Sequence, residues 1–268
     1  MNIGVCGAAG RMGRRIIALG HEHPQMQISG AFERVGHPDI GKDAGELAGV
    51  GKIGVPLADD ISAVLGGCDV LVDFSDPAAS VANIAKAAAM HKAIVVGTTG
   101  FTAEQTAEIR RTGSATRCLI APNMSLGVNL LFDLVARAAR MLGDSYHVEI
   151  IEAHHSLKKD SPSGTANKLA AVAAEALGRD LDRDGVYGRK GIVGPRQQNE
   201  IGVFAVRGGD IVGEHTVMFV TNGERLELTH RAHSRDALAK GAVAAAVWLY
   251  AQPDGIYDMQ DMLGIKAR

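Results

Sequence analysis

His154, His155, Lys158 and Lys159 fall within one short stretch, and their types suit two tasks. Lysine ammonium groups bind anions such as carboxylates through charge-assisted hydrogen bonds, and imidazoles exchange protons near neutral pH. The elements around them predict how they are held. Val148, Ile150 and Ile151, with Glu149 between them, suit a half-buried strand. Ser161, Pro162 and Ser163 supply turn and cap chemistry, and from Thr165 onward the Ala/Leu/Lys/Glu run up to Leu177 favours a helix. Free N–H groups at that helix start, with the backbone and hydroxyl of Gly164 and Thr165, would complete a cradle for an anion. Against this stands the commoner fate of a lone histidine, a hydrogen bond in the core or at the surface. Adjacent strand residues also face opposite ways, so His154 and His155 need not share a role. A metal centre would need three or four converging ligands; His230 and His233 add imidazoles, but no zinc or iron spacing is present, and no metal is expected.

Composition narrows the classes. At 268 residues the chain can bury a full core in one large or two modest domains. With 46% hydrophobic and 22% charged residues it has a globular balance, and no apolar run approaches the roughly 20 residues that span a bilayer. A net charge of −2 without blocks of like charge indicates neither nucleic acid nor membrane as a partner. Cys6, Cys68 and Cys118 are odd in number and lie in or beside apolar runs, which predicts buried free thiols. With an N-terminus that lacks a signal-peptide pattern, this predicts a cytoplasmic protein.

The N-terminal half reads as strand, glycine turn, helix, strand: Asn2 to Gly7, the turn Gly7-Ala8-Ala9-Gly10-Arg11-Met12-Gly13, a helix with Ile16, Ile17 and Leu19, and Met26 to Phe32. Ala8 stands where a dinucleotide fingerprint has its first glycine, so the turn alone is equally a device for close packing. Its place after the first strand, and Glu33 at the distance where a carboxylate meets the adenosine ribose, favour dinucleotide binding. Arg34 suits a 2′-phosphate instead, leaving NADH and NADPH both open. Residues 36–60 read as a surface excursion. Alternation resumes with strands at Asp69 to Phe74, Ala93 to Val96 and Arg117 to Ala121, and helices opening at Asp76-Pro77 and Thr102. This predicts an α/β fold with a doubly wound, Rossmann-type parallel sheet, whose ligand would meet the loops beyond the strand ends.

From Ser125 the pattern changes. A helix from Leu126 to Leu142 leads into the histidine-bearing stretch, and a polar segment from Gly178 to Asn199 reads as a solvated face. Ile201 to Arg207, Val212 to Thr221 and Arg225 to His233 read as strands, the last two joined by an Asn-Gly hairpin. These predict a second α+β domain with a mixed sheet, covered on one face by two helices and on the other by self-association. The expected domains are 1–124 for the dinucleotide, rejoined by 235–268, and 125–234 for substrate and oligomerisation. Together these features predict a nicotinamide-dependent reductase of a small carboxylate. Open alternatives are another two-domain amino-acid or semialdehyde dehydrogenase, and a non-catalytic redox-sensing nucleotide module.

Several motifs resemble the dihydrodipicolinate (4-hydroxy-tetrahydrodipicolinate) reductase family of the diaminopimelate and lysine pathway. They are Glu152-Ala153-His154-His155, Lys158, Asp160 and Pro162-Ser163-Gly164-Thr165-Ala166, with Gly10-Arg11-Met12-Gly13, Asp43 to Leu47, Gly97 to Phe101, Gly208 to Thr216 and Trp248. The resemblance spans essentially the whole chain. It implies hydride transfer from NADH or NADPH to C4 of a dicarboxylate ring, with His154 transferring the proton and Lys158 as its catalytic partner. His155, Gly164 and Thr165 would hold substrate carboxylates. Gly7, Ala8, Ala9, Gly10, Arg11, Met12, Glu33, Arg34, Gly97, Thr98, Thr99, Ala121, Pro122, Asn123 and Met124 would meet the cofactor. It also implies a homotetramer joined through the second sheet. Two positions depart from the pattern: some members carry arginine at Asp76 and phenylalanine at Met124.

Overall fold

Short apolar strands alternate with helices through the first half of the chain, and longer strands dominate the second. The computed structural model describes residues 1–266. In chain order its elements are β1 (Asn2–Cys6), α1 (Arg11–Glu22), β2 (Gln27–Phe32), α2 (Ala44–Ala48), β3 (Leu57–Ala58), α3 (Ile61–Gly67), β4 (Val70–Asp73), α4 (Pro77–Ala89), β5 (Ala93–Val96), α5 (Ala103–Gly113) and β6 (Arg117–Ile120). There follow α6 (Leu126–Leu142), β7 (His147–His154), α7 (Gly164–Leu177), α8 (Leu181–Asp184), β8 (Gly185–Val186), β9 (Ile201–Arg207), β10 (Gly213–Thr221), β11 (Glu224–Ala232), α9 (Asp236–Tyr250), β12 (Gly255–Tyr257) and α10 (Met259–Met262). They divide into two compact units, Met1–Leu126 with the chain from Asp236 onward, and Gly127–Arg235.

The first unit is a parallel seven-stranded sheet in the order β12-β6-β5-β4-β1-β2-β3. Every residue of β4 and β5 is buried, as expected of parallel strands covered on both faces. The order reverses about β1, which pairs with β2 on one side and β4 on the other. At such a switch point the loops after β1 and β4 diverge and leave a crevice. Helix α1 turns Ile16 and Ile17 into the core, and the small residues Ala239, Ala242, Ala245 and Ala246 let α9 pack closely. Arg15 and Asp236 join the starts of these two helices by a two-pronged ion pair at 2.7 and 2.8 Å. The three cysteines are buried and free.

Residues 36–60 are not merely a surface excursion. Asp43 caps α2 and its carboxylate accepts N–H groups of Gly45, Glu46, Ile53 and Gly54, tying the segment into a knot. Leu57 is buried where β3 extends the sheet beside β2. Helix α3, unmarked by the sequence reading, starts from an Asp60 cap and buries Ile61, Val64 and Leu65. Thr102 opens α5 as expected and forms a reciprocal cap with Gln105.

The second unit is a mixed five-stranded sheet in the order β11-β10-β7-β9-β8. Strand β10 runs antiparallel to β11 and β7, whereas β9 runs parallel to β7 and β8. Asn222-Gly223 joins β10 to β11, with Gly223 at φ 96°. Helices α6 and α7 cover one face, packing Val128, Leu131, Phe132, Leu169 and Ala173 on Val148, Ile150, Val203, Val217 and Phe219. On the opposite face Ile151 is 39% and Val206 48% exposed. Most of the segment 178–199 is exposed, as expected, but two of its arginines are tied to the sheet. Arg189 lies over the Phe204 ring at 5.2 Å and pairs with Glu149 and Glu200, and Arg196 pairs with Glu149 at 2.7 Å. The long arginine side chains bridge this loop to the sheet.

Candidate active site

Strand alternation on β7 sends Val148, Ile150 and Glu152 toward the helix-covered face, so a carboxylate occupies a core position and is fully buried. A buried charge needs partners, and this one has four N–H donors. Arg207 donates to both oxygens at 2.8 Å, Ser163 N to Oε1 at 2.9 Å and His154 Nδ1 to Oε2 at 2.6 Å. Sheet register brings them together: His154 stands opposite Arg207 on β9, and Glu152 opposite His215 on β10. Burial raises the pKa of Glu152, but the hydrogen bonds from Arg207, His154 and Ser163 outweigh it and hold the group ionised below the ordinary carboxylate range. For His154, burial and the cations Lys158 and Arg207 outweigh Glu152, so its pKa lies below the ordinary value.

His154 ends β7, and His155 follows with its Nδ1 buried and without a hydrogen-bond partner among the described residues. Lys158 is held by Asp160 at 2.8 Å, while Lys159 is exposed. Gly164 and Thr165 open α7, whose cap is Ser163; the Ser163 hydroxyl accepts Ala166 N–H and lies 3.1 Å from His215 Nε2. Through Ser163 and Glu152, the start of α7 is therefore tied to His154. Glu152, Arg207 and His215 had been given no role by sequence reasoning. The signal for Glu152 is an acid at an inward position of the β7 alternation, and His215 lies within the Gly208 to Thr216 motif; Arg207 carries none.

The first unit holds the other group of expected residues. Gly7 has φ 66°, and a Cβ there would stand 2.8 Å from the Phe74 carbonyl oxygen. A Cβ on Gly13 would stand 2.2 Å from Gly7 O. These two glycines let the turn fold tightly onto the start of α1, whose cap residue Gly10 offers no side-chain acceptor. The α1 N–H groups thus face a cavity of about 440 Å³ lined by Gly10, Arg11, Met12, Phe74, Ser75, Gly97, Thr98 and Thr99. A positive helix end without a side-chain cap, in a glycine turn that a Cβ would fill, fits a pyrophosphate. Beneath the lining, Ser80 donates to Thr98 Oγ1 at 2.7 Å, and buried Asp73 accepts Ser75 N–H and the Asn83 amide. Ala9 follows Ala8 in the turn, and Ala8 donates its N–H to Phe32 O. Glu33 and Arg34 follow β2, and Glu33 accepts the Arg34 N–H. Pro122 and Asn123 follow β6 outside the cavity lining, with Ala121 buried. Met124 is 1% exposed and packs in the core of this unit. Asp76, at the other departure, caps α4 through Ala78 and Ala79 N–H.

Among the described residues no three His, Cys, Asp or Glu side chains gather as a metal group, and no helix is long and apolar enough to cross a membrane. A family model described as "Dihydrodipicolinate reductase, N-terminus" matches residues 1–124, and one described as "Dihydrodipicolinate reductase, C-terminus" matches 127–263. The chain belongs to the dihydrodipicolinate reductase family. It is 53% identical over 266 residues to the 4-hydroxy-tetrahydrodipicolinate reductase of Geotalea uraniireducens, covering 99% of this chain and all of that one. A similar enzyme from Syntrophus aciditrophicus is 52% identical over 98% of each chain. Among solved structures, a dipicolinate-bound dihydrodipicolinate reductase from Paenisporosarcina sp. TG-14 shares the fold at TM-score 0.77 and 21% identity, covering 97% of this chain and 98% of that one. An amine dehydrogenase from Mycobacterium smegmatis shares it more loosely, at TM-score 0.60 and 15% identity over 96% and 94%. Members of the dihydrodipicolinate reductase family are oxidoreductases that use NADH or NADPH.

Proposed function

We propose that this chain reduces 4-hydroxy-tetrahydrodipicolinate, by way of dihydrodipicolinate, to tetrahydrodipicolinate in diaminopimelate and lysine biosynthesis. The full-length match at 53% identity carries this reading. NADH or NADPH, when bound, supplies the hydride. The α1 N–H groups with Gly7 to Met12 hold its pyrophosphate, Glu33 accepts from the adenosine ribose or Arg34 pairs with a 2′-phosphate, and Gly97 to Thr99 with Ala121 to Met124 line the nicotinamide end.

His155, Gly164 and Thr165 bind the substrate carboxylates, and Lys158 both orients one and stabilises developing negative charge. His154 delivers the proton to the reduced ring. What supports these roles is the anchoring of His154 by Glu152 and the cation-rich turn that leads into α7. The segments 1–124 and 235–268 then form the nucleotide domain, and 125–234 the substrate and assembly domain. The exposed Ile151 and Val206 face would be covered by other copies in a homotetramer. Oxidation of NADH or NADPH by the purified protein, with substrate generated enzymatically in the same cuvette, tests the activity. Nucleotide binding without turnover would reject it in favour of a sensor.

A further inference from the structure

The carboxylate of Glu152 is saturated. Oε1 receives Arg207 and Ser163 N–H at 2.8 and 2.9 Å, and Oε2 receives Arg207 and His154 Nδ1 at 2.8 and 2.6 Å. An ionised carboxylate only accepts, so His154 must donate from Nδ1. Arg207 cannot swing away to change this, because its guanidinium also donates to the carbonyl oxygens of Asp160 and Val206, each at 2.7 Å. The other ring nitrogen, Nε2, makes no hydrogen bond among the described residues. It faces Gly213, where a Cβ would stand only 3.0 Å from it. Glycine at 213 therefore keeps that nitrogen uncrowded.

We infer that Glu152 is a positioning residue that holds neutral His154 in the Nδ1–H tautomer and so reserves Nε2 as the atom that gives and regains the proton. This rests on the reading of His154 as the proton donor. When cationic His154 gives up its Nε2 proton, the imidazole left behind is the tautomer that Glu152 requires, and Nδ1–H is never broken. An ordinary structural ion pair between Glu152 and Arg207 would place no such demand on the ring.

Replacing Glu152 by Gln makes the demand visible. The glutamine amide would offer one accepting oxygen and one NH2 group to the same four donors. Arginine and a backbone N–H cannot become acceptors, whereas imidazole can. Of the four only His154 can change role. With the NH2 at the Oε2 position it releases its Nδ1 proton, accepts from the amide and keeps its remaining proton on Nε2, which leaves one unrelieved contact, Arg207 Nη1 against the NH2 group, instead of two. That tautomer has no second proton to give.

The test is side-chain nitrogen NMR of the ligand-free protein at about pH 8, above the ordinary histidine range, with the His154 signal assigned by its loss in His154→Gln. The wild type is expected to show protonated Nδ1 and bare Nε2, and Glu152→Gln the reverse. In steady-state kinetics Glu152→Gln is expected to lose about 100-fold or more in kcat, with KM within a few-fold of wild type. Gly213→Ala should leave the tautomer unchanged while lowering kcat. A wild-type ring protonated on Nε2, or a Glu152→Gln ring unchanged from wild type, would overturn the inference. The wild-type spectrum decides the matter even if Glu152→Gln does not fold. A fully active His154→Gln would instead remove His154 from the reaction, a failure of the proposed chemistry that the spectra would separate from a failure of the Glu152 clamp.

Discussion

His215 packs edge-on against His154, with ring centroids 5.2 Å apart and planes at 73°, and its Nε2 lies 3.1 Å from Ser163 Oγ. Buried beneath a second imidazole, it is kept neutral: burial first, then the charge of His154, pushes its pKa down to about 4 from 6.5. Its uncharged ring is a floor on which the catalytic candidate rests.

Stability should therefore fall on acidification before the carboxylates titrate. Above pH 6.5 His215 is neutral in both folded and unfolded chains and costs nothing. Between pH 6.5 and about 4 the unfolded chain takes up a proton that the folded one refuses, so unfolding becomes easier as pH falls, and the loss levels off below pH 4. The full effect is about 3 kcal/mol. His154 and His230, also lowered by burial, act in the same sense. Urea unfolding at neutral pH and near pH 4.5 should show His215→Gln losing most of the difference seen in wild type; an equal difference in both proteins would contradict the assignment.

His154→Gln should lower kcat by about 10²- to 10⁴-fold, the usual worth of a positioned general acid. Thermal melting and NADPH binding, read by nucleotide fluorescence, should stay at wild-type values, because the glycine turn lies in the other unit.

Lys158→Ala should raise KM for the ring substrate and lower kcat together. Its ammonium is held by exposed Asp160 rather than by the core, so the fold should survive its loss. Kinetics indistinguishable from wild type would take Lys158 out of the carboxylate site.

Gly13→Ala should both destabilise the first unit and weaken nucleotide binding. The added methyl would stand 2.2 Å from Gly7 O, a backbone atom that cannot step aside, and such overpacking costs about 1–3 kcal/mol. Gly10→Ala, at 3.1 Å from the same oxygen, should be milder. Melting curves with and without NADPH compare the two.

Val206→Glu should impair the proposed assembly of copies through this face. The residue is 48% exposed on the open face of the second sheet, beside Ile151, and a carboxylate there would be desolvated in a homotetramer. Light scattering should show smaller species than wild type, with helix content unchanged.

Much of the architecture was legible in the chain itself. Fully apolar runs such as Ala93 to Val96 announce strands covered on both faces, and Thr102 with Gln105 announces a helix start, because these signals depend on neighbours a few residues away. The knot around Asp43 and the helix from Ile61 were not legible. Four backbone donors converge on one carboxylate from both sides of a loop, and no periodicity records that.

The candidate site divides along the same line. The sequence by itself determined the contiguous turn of His154, His155 and Lys158 leading into Gly164 and Thr165, since strand, loop and helix start follow from local propensity. Only the tertiary structure decided what holds His154. Arg207 and His215 reach it through the register of β9 and β10 against β7. A slip of one residue in either pairing would turn that strand's side chains to the opposite face. Local composition does not set the register; it is set by which inward residues, from Val148 to Phe219, can be buried together under α6 and α7.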